Sequence, residues 1–132
     1  MSNKVAFVAS ARPEAQQALR TMIAKYGQCD EADADVIVAL GGDGCMLDTL
    51  RRRFSDPRPV YGMNQGTIGF LMNDYREDKL MERLDRAERA VIYPLRMKTR
   101  TVDGEVSDNL AINEVSLLRQ SSQTAKLQIT ID

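Results

Sequence analysis

The apolar run Val36–Leu40 (VIVAL) passes directly into Gly41-Gly42-Asp43-Gly44, and the helical spacing of Met46, Leu47, Leu50 and Phe54 begins at once behind it. A continuous run of that length, rich in β-branched residues, suits a strand buried on both faces of a parallel sheet. Parallel strands are joined by crossovers, and a glycine turn opening a helix is a common way to begin one. The strand–GGDG–helix passage therefore directs the chain to the α/β class. Glycines at such a turn let backbone N–H groups approach an anion closely, and the positive end of the helix adds to the same field. Gly41, Gly42 and Gly44 are thus read as a phosphate loop.

The flanking segments agree with that class. Lys4–Ser10 (KVAFVAS) reads as a second buried strand, and as a central one. Pro13 suits a first helical turn, Ala15, Ala18, Leu19, Met22, Ile23 and Tyr26 recur at helical spacing, and Gly27 is the expected stop. Pro57 and Pro59 end the helix that follows GGDG, and Val60–Met63 is a short strand leading into a second glycine-rich passage, Gly62–Leu71 (GMNQGTIGFL). Arg76–Arg89 carries the stripe Leu80, Met81, Leu84 and Ala87, with Glu82–Arg86 and Asp85–Arg89 at i,i+4. The predicted order is β-α-β-α-β-α.

From Ala90 the texture changes. Val91–Val102, an Asp103-Gly104 turn signal, Glu105–Gln120 and Lys126–Asp132 alternate as strands do. Leu127, Ile129 and Ile131, interleaved with Gln128 and Thr130, predict a half-buried antiparallel strand. The expected organisation is an α/β nucleotide-binding domain over residues 1–90, with a parallel sheet in a three-layer arrangement. Residues 91–132 are expected to supply the first strands of an all-β second domain that is truncated at Asp132.

Charge and composition narrow the function. Across 132 residues, 18 Lys and Arg stand against 19 Asp and Glu, so no cationic field exists to draw nucleic acid or an anionic membrane. Histidine is absent and there are two cysteines, which excludes a His-based triad, a HExxH zinc site and a disulfide framework. No signal-peptide pattern opens the chain, and the expected location is the cytoplasm. Gly42-x-Gly44-x-x-Leu47 lacks the third glycine of a dinucleotide fingerprint, and no GxxxxGK[ST] occurs, so hydride-transfer and P-loop enzymes are disfavoured.

Asp43 makes the loop more than a phosphate cradle. An acidic group beside polyphosphate acts as a metal ligand or as the proton acceptor for an attacking hydroxyl; the alternative use is as the N-cap of the next helix. Cys45, at the same helix start, is either a thiol activated by the helix or a small buried spacer. Consecutive helical residues diverge, so Arg51-Arg52-Arg53 reads as a solvated face, and the Met residues at 22, 46, 63, 72, 81 and 97 read as core filling. Glu114, flanked by Ile112 and Val115 in an expected strand, needs a partner if its side is buried and none if it faces water.

GGDG at Gly41–Gly44 followed by Leu47, then GMNQGTIGFL, Tyr93-Pro94-Leu95, and Asn113-Glu114 within LAINEVSLLR together resemble the NAD kinase family, in the family's order and over nearly the whole chain. The resemblance implies phosphorylation of the adenosine ribose 2′-hydroxyl of NAD by ATP to give NADP. It implies that Asp43 accepts the hydroxyl proton, that Gly44 contacts the dinucleotide beside it, that Asn64 and Phe70 shape the dinucleotide pocket, and that Asn113 and Glu114 contact bound NAD. It further implies Mg²⁺ or Mn²⁺ carried mainly by the nucleotide phosphates, and a homo-oligomer at full length. Cys45 departs from the hydroxyl residue usual at its position. The family's later glycine-aspartate turn and Thr-Pro-Thr-Gly-Ser-Thr-Ala-Tyr-like segment do not occur in these 132 residues, so the chain alone is expected to be inactive. Rival readings are a lipid or sugar kinase with a similar glycine-aspartate loop and a non-catalytic nucleotide-binding module; Asp43→Asn separates the module from a kinase.

Overall fold

The computed structural model describes residues 4–66 and 69–132. Thr67 and Ile68, within the second glycine-rich passage, lie outside the described residues. The chain divides into two compact units, one ending at Tyr93 and the other Pro94–Asp132.

The first unit runs β1 (Val5–Ala9), α1 (Pro13–Tyr26), β2 (Val36–Gly41), α2 (Asp43–Arg51), β3 (Val60–Asn64), β4 (Asn73–Asp74) and α3 (Leu80–Arg86). The strands form one parallel sheet in the order β1-β2-β3-β4. The mixed α/β class expected from the sequence is the one observed. Alternation along the strands sorts the core: Val5 and Phe7 of β1, Val38 and Leu40 of β2 and Met63 of β3 meet Ala18 and Met22 of α1 and Leu80 of α3. Ala6 and Ile37, of the opposite parity, join Ala34 in a smaller cluster. In β2 every residue from Ile37 to Gly41 is buried, as its uninterrupted apolar run requires.

β1 is an edge strand, not the central one expected, because an apolar run reports that the faces of a strand are covered and not how many strands flank it. Its free edge is closed by the segment after α1: the Gln28 side-chain amide accepts from Phe7 N–H at 2.9 Å and donates to Phe7 C=O at 3.2 Å, doing the work of a ladder partner. Cys29 N–H adds a bond to Val5 C=O at 3.4 Å. α1 begins at Pro13 and stops at Gly27, whose φ of 80° is open to glycine and whose N–H reaches Ile23 C=O, as predicted.

Four helical expectations need correction. α2 ends at Arg51, so Phe54 lies beyond it and is exposed; Thr49 takes the inward place, its hydroxyl donating to Cys45 C=O at 2.8 Å. α3 is limited to Leu80–Arg86, which leaves Ala87 and Arg89 outside the helix and exposed. Neither Glu82–Arg86 nor Asp85–Arg89 forms an ion pair, since Arg89 has left the helix and a solvated pair gains little from closing. Arg53 is not on a solvated face: its side chain is 10% exposed and pairs with Glu31 at 3.0 Å and with Asp56. The two-residue β4 was not foreseen.

The second unit contains β5 (Leu95–Arg100) and β6 (Val106–Ala111), antiparallel and joined through the expected Asp103-Gly104 turn, where Gly104 has φ 89°. The predicted strand at Lys126–Asp132 does not form, and Leu127, Ile129 and Ile131 are exposed. Alternation supplies an amphipathic face but no ladder partner, and within this unit no third strand pairs with that segment.

Candidate active site

In the parallel register Gly41 stands opposite Asn64, so the two glycine-rich passages leave the sheet side by side at the carboxyl ends of β2 and β3. Gln65 N–H donates to Gly41 C=O at 2.6 Å, and Ser10 N–H, just past β1, donates to Leu40 C=O at 3.0 Å. The carboxyl edge of an open α/β sheet is where such folds bind ligands.

Asp43 is the first residue of α2, with Gly42 in the N-cap position, and its side chain does not cap the helix. Instead Oδ2 accepts from Phe70 N–H at 2.9 Å and Oδ1 accepts from Leu71 N–H at 2.9 Å. The N-cap use is therefore overturned: the carboxylate is held by the other loop. Each oxygen takes one of these bonds and keeps lone pairs for a ligand. The approach is so close that a Cβ placed on Gly69 would lie 2.9 Å from the Asp43 carboxyl carbon.

The glycines of the first loop differ in kind. A Cβ on Gly41 would stand 2.8 Å from Cys45 Cβ and 3.3 Å from Ser10 Cβ, so a close approach demands glycine there. At Gly42 and Gly44 a Cβ would meet nothing within 4 Å. Their backbone faces open space at the start of α2, the surface a phosphate needs. Cys45 fills the space beside Gly41, and burial pushes its thiol above the ordinary 9.0. This favours the buried spacer over the activated thiol.

Asn64 donates through Nδ2 to Gly66 C=O at 3.0 Å, while its Oδ1 is buried without a partner. Ser10 Oγ and Gln65 Nε2 are likewise buried and unpartnered, and the Arg12 guanidinium lies beside Gly66. Phe70 contributes its backbone N–H to Asp43, whereas its side chain is 100% exposed. Asn113 and Glu114 belong to the second unit, just beyond β6, in irregular and exposed chain and not in a strand; of the two alternatives for Glu114, the solvent-facing one is observed.

The description "ATP-NAD kinase N-terminal domain" matches residues 2–90. The chain belongs to the NAD kinase family. An NAD kinase of Hyphomonas neptunium is 60% identical over 98% of this chain and 51% of its own length. An NAD kinase of Caulobacter vibrioides is 54% identical over 98% of this chain and 50% of its own. One of Xylella fastidiosa is 50% identical over 98% and 49%. The chain thus spans about half the length of the curated relatives it matches.

Within this NAD kinase family chain, the structure brings Gly41, Gly42, Asp43 and Gly44 together with Asn64 and the Phe70 backbone. Reading the sequence missed Gly69 and Leu71, whose part is steric and main-chain, and Ser10, Arg12 and Gln65, which flank the loops. Glycine three times within the short passage Gly62–Gly69 was a usable signal for close backbone approach. Among the described residues no group of three or more Cys, Asp or Glu could hold a metal, and Asp43 is the one acidic residue in the two glycine-rich passages. A single carboxylate fits a divalent ion that is carried largely by phosphate oxygens. Among the described residues, no helix is long and apolar enough to cross a membrane.

Proposed function

We propose that this chain carries the phosphoryl-transfer loop of an ATP-dependent NAD kinase, which makes NADP from NAD. The observation that carries the reading is Asp43, fixed by two backbone N–H groups at the carboxyl edge of the sheet, beside the open backbone of Gly42 and Gly44. A sugar hydroxyl is a weak nucleophile and needs positioning, charge neutralisation and a nearby base. With histidine absent, a carboxylate is the natural base.

In this reading Asp43 accepts the proton of the adenosine ribose 2′-hydroxyl as its oxygen bonds to the γ-phosphorus and the bond to the bridging oxygen of ADP breaks. Gly41, Gly42 and Gly44 form the phosphate loop, and Gly44 and Asn64 lie against the dinucleotide with Phe70. Asn113 and Glu114 contact NAD. Mg²⁺ or Mn²⁺, held by the nucleotide phosphates, neutralises charge on the transferred group. Residues 1–90 act as the nucleotide-binding domain and 91–132 contribute to a β-rich one, in a cytoplasmic homo-oligomer that has no nucleic-acid or membrane partner.

The test is NADP formation from NAD and Mg-ATP by the protein at its full encoded length, with Asp43→Asn as control. Turnover in the parent and its loss in the variant, with NAD binding retained, is the expected result. Folded protein that binds nucleotide and turns over no NAD would instead direct attention to lipid or sugar acceptors.

A further inference from the structure

Gly69 and the two N–H groups behind it are outside every role the sequence suggested. The main chain at Phe70 and Leu71 points two successive donors at one carboxylate, one to each oxygen, both at 2.9 Å. Such a two-point grip fixes both the position and the plane of the carboxyl group, which a single bond does not. It also requires the chain to pass directly over Asp43, and Gly69 is where it passes: a Cβ there would stand 2.9 Å from Cγ and 3.2 Å from Oδ2 of Asp43. The first distance is one that real Cβ atoms do not occupy, so either the carboxylate or the loop must move. Asp43 and these donors are 27 and 28 residues apart in sequence, so the grip is tertiary and belongs to no local turn.

We propose that Gly69 is a positioning residue for Asp43: its missing side chain lets the Phe70 and Leu71 amides clasp the carboxylate and orient the oxygen that takes the acceptor's proton. The proposal rests on Asp43 being the base in the reading above. Its consequence is specific. A methyl group at position 69 meets Asp43 first, since the three heavy atoms nearest to it all belong to the Asp43 carboxyl group, and so it displaces the carboxylate or its donors. Chemistry then suffers more than binding, since an ångström of misplacement in a reacting group costs up to about a hundredfold in rate.

The experiment compares the parent, Gly69→Ala, Asp43→Asn and the double variant at full encoded length, reading kcat and KM for NAD together with the amide ¹H–¹⁵N resonances of Phe70 and Leu71. Expected are a fall in kcat of about tenfold to a hundredfold for Gly69→Ala with little change in KM, and no further fall when Gly69→Ala is added to Asp43→Asn. A residue that merely supports the fold would lower kcat in both backgrounds alike. The Phe70 and Leu71 amide signals are expected to shift together in Asp43→Asn and in Gly69→Ala. Parent-like kcat in Gly69→Ala, an additive loss in the double variant, or amide signals indifferent to Asp43→Asn would each overturn the proposal. A parent that makes no NADP, yet shows both amides responding to Asp43→Asn, would defeat the kinase reading and leave the clasp standing.

Discussion

Two glycines of one loop have opposite duties at the scale of single residues. Gly41 is enclosed by Cys45 and Ser10, and overpacking a tight site costs about 1–3 kcal/mol, so Gly41→Ala is expected to lower the urea midpoint. Gly44 is helical, exposed and surrounded by open space, and alanine improves a helix by up to about 1 kcal/mol over glycine. Gly44→Ala should therefore match or exceed the parent in stability while losing turnover, because the methyl group would occupy the approach proposed for the dinucleotide. Equal activity in Gly44→Ala and the parent would remove Gly44 from the binding surface. Cys45 offers an independent check: with its thiol pushed above 9.0 by burial, under about 1% is thiolate at pH 7. Alkylation of Cys45 by iodoacetamide at pH 7 should be slower than that of a free thiol and should accelerate as pH rises past 9, followed by peptide mass mapping.

Between elements, an ionic knot ties the turn before β2 to the turn after α2. Arg58 donates to the carbonyl oxygens of Glu31, Ala32 and Ala34 at 2.7, 2.6 and 2.9 Å, and Asp56 holds the Arg58 guanidinium while also pairing with Arg53. Hydrogen bonds from the Arg58 side chain and backbone hold the Asp56 carboxyl well below its ordinary 3.8. A carboxyl depressed in the folded state contributes stability above its unfolded value, and that contribution is lost as pH falls through the folded one. Asp56→Asn should accordingly unfold at lower urea than the parent at neutral pH, with the two curves converging as pH is taken below about 4. A gap that stays constant down to pH 2 would show that the knot is not what Asp56 contributes. The same scale explains β1: an edge strand is tolerated because Gln28 and Cys29 occupy its open hydrogen-bonding groups.

For the molecule as a whole, the connection between the units is an exposed, irregular stretch. Residues 87–94 have no regular structure and are all exposed, and Arg89 is the one basic side chain among them. Exposed irregular chain is where proteases cut first. Limited trypsin digestion should nick after Arg89 before Arg20 or Lys25 of α1, as judged by intact-mass analysis. Early cleavage after Arg20 or Lys25 of α1, which packs on the parallel sheet, would mean that the first unit is not the stable core its buried strands describe.

The sequence alone determined the strands β1, β2 and β3, helix α1 with both its ends, the Asp103-Gly104 turn and the strand–GGDG–helix passage, because each is written in local periodicity, proline and glycine. It named Asp43 and the family without needing a contact. Only the tertiary structure decided what holds Asp43, for the donors are main-chain N–H groups, which no residue type announces, and they arrive from 27 and 28 residues away. It also decided where alternation would count. Leu127, Ile129 and Ile131 carry a strand's pattern as plainly as β1 does, yet remain exposed, since a strand forms only where a neighbour can satisfy its backbone. Lengths of α2 and α3 were misjudged for a related reason: amphipathic spacing states which face can be buried, and packing decides how many turns are.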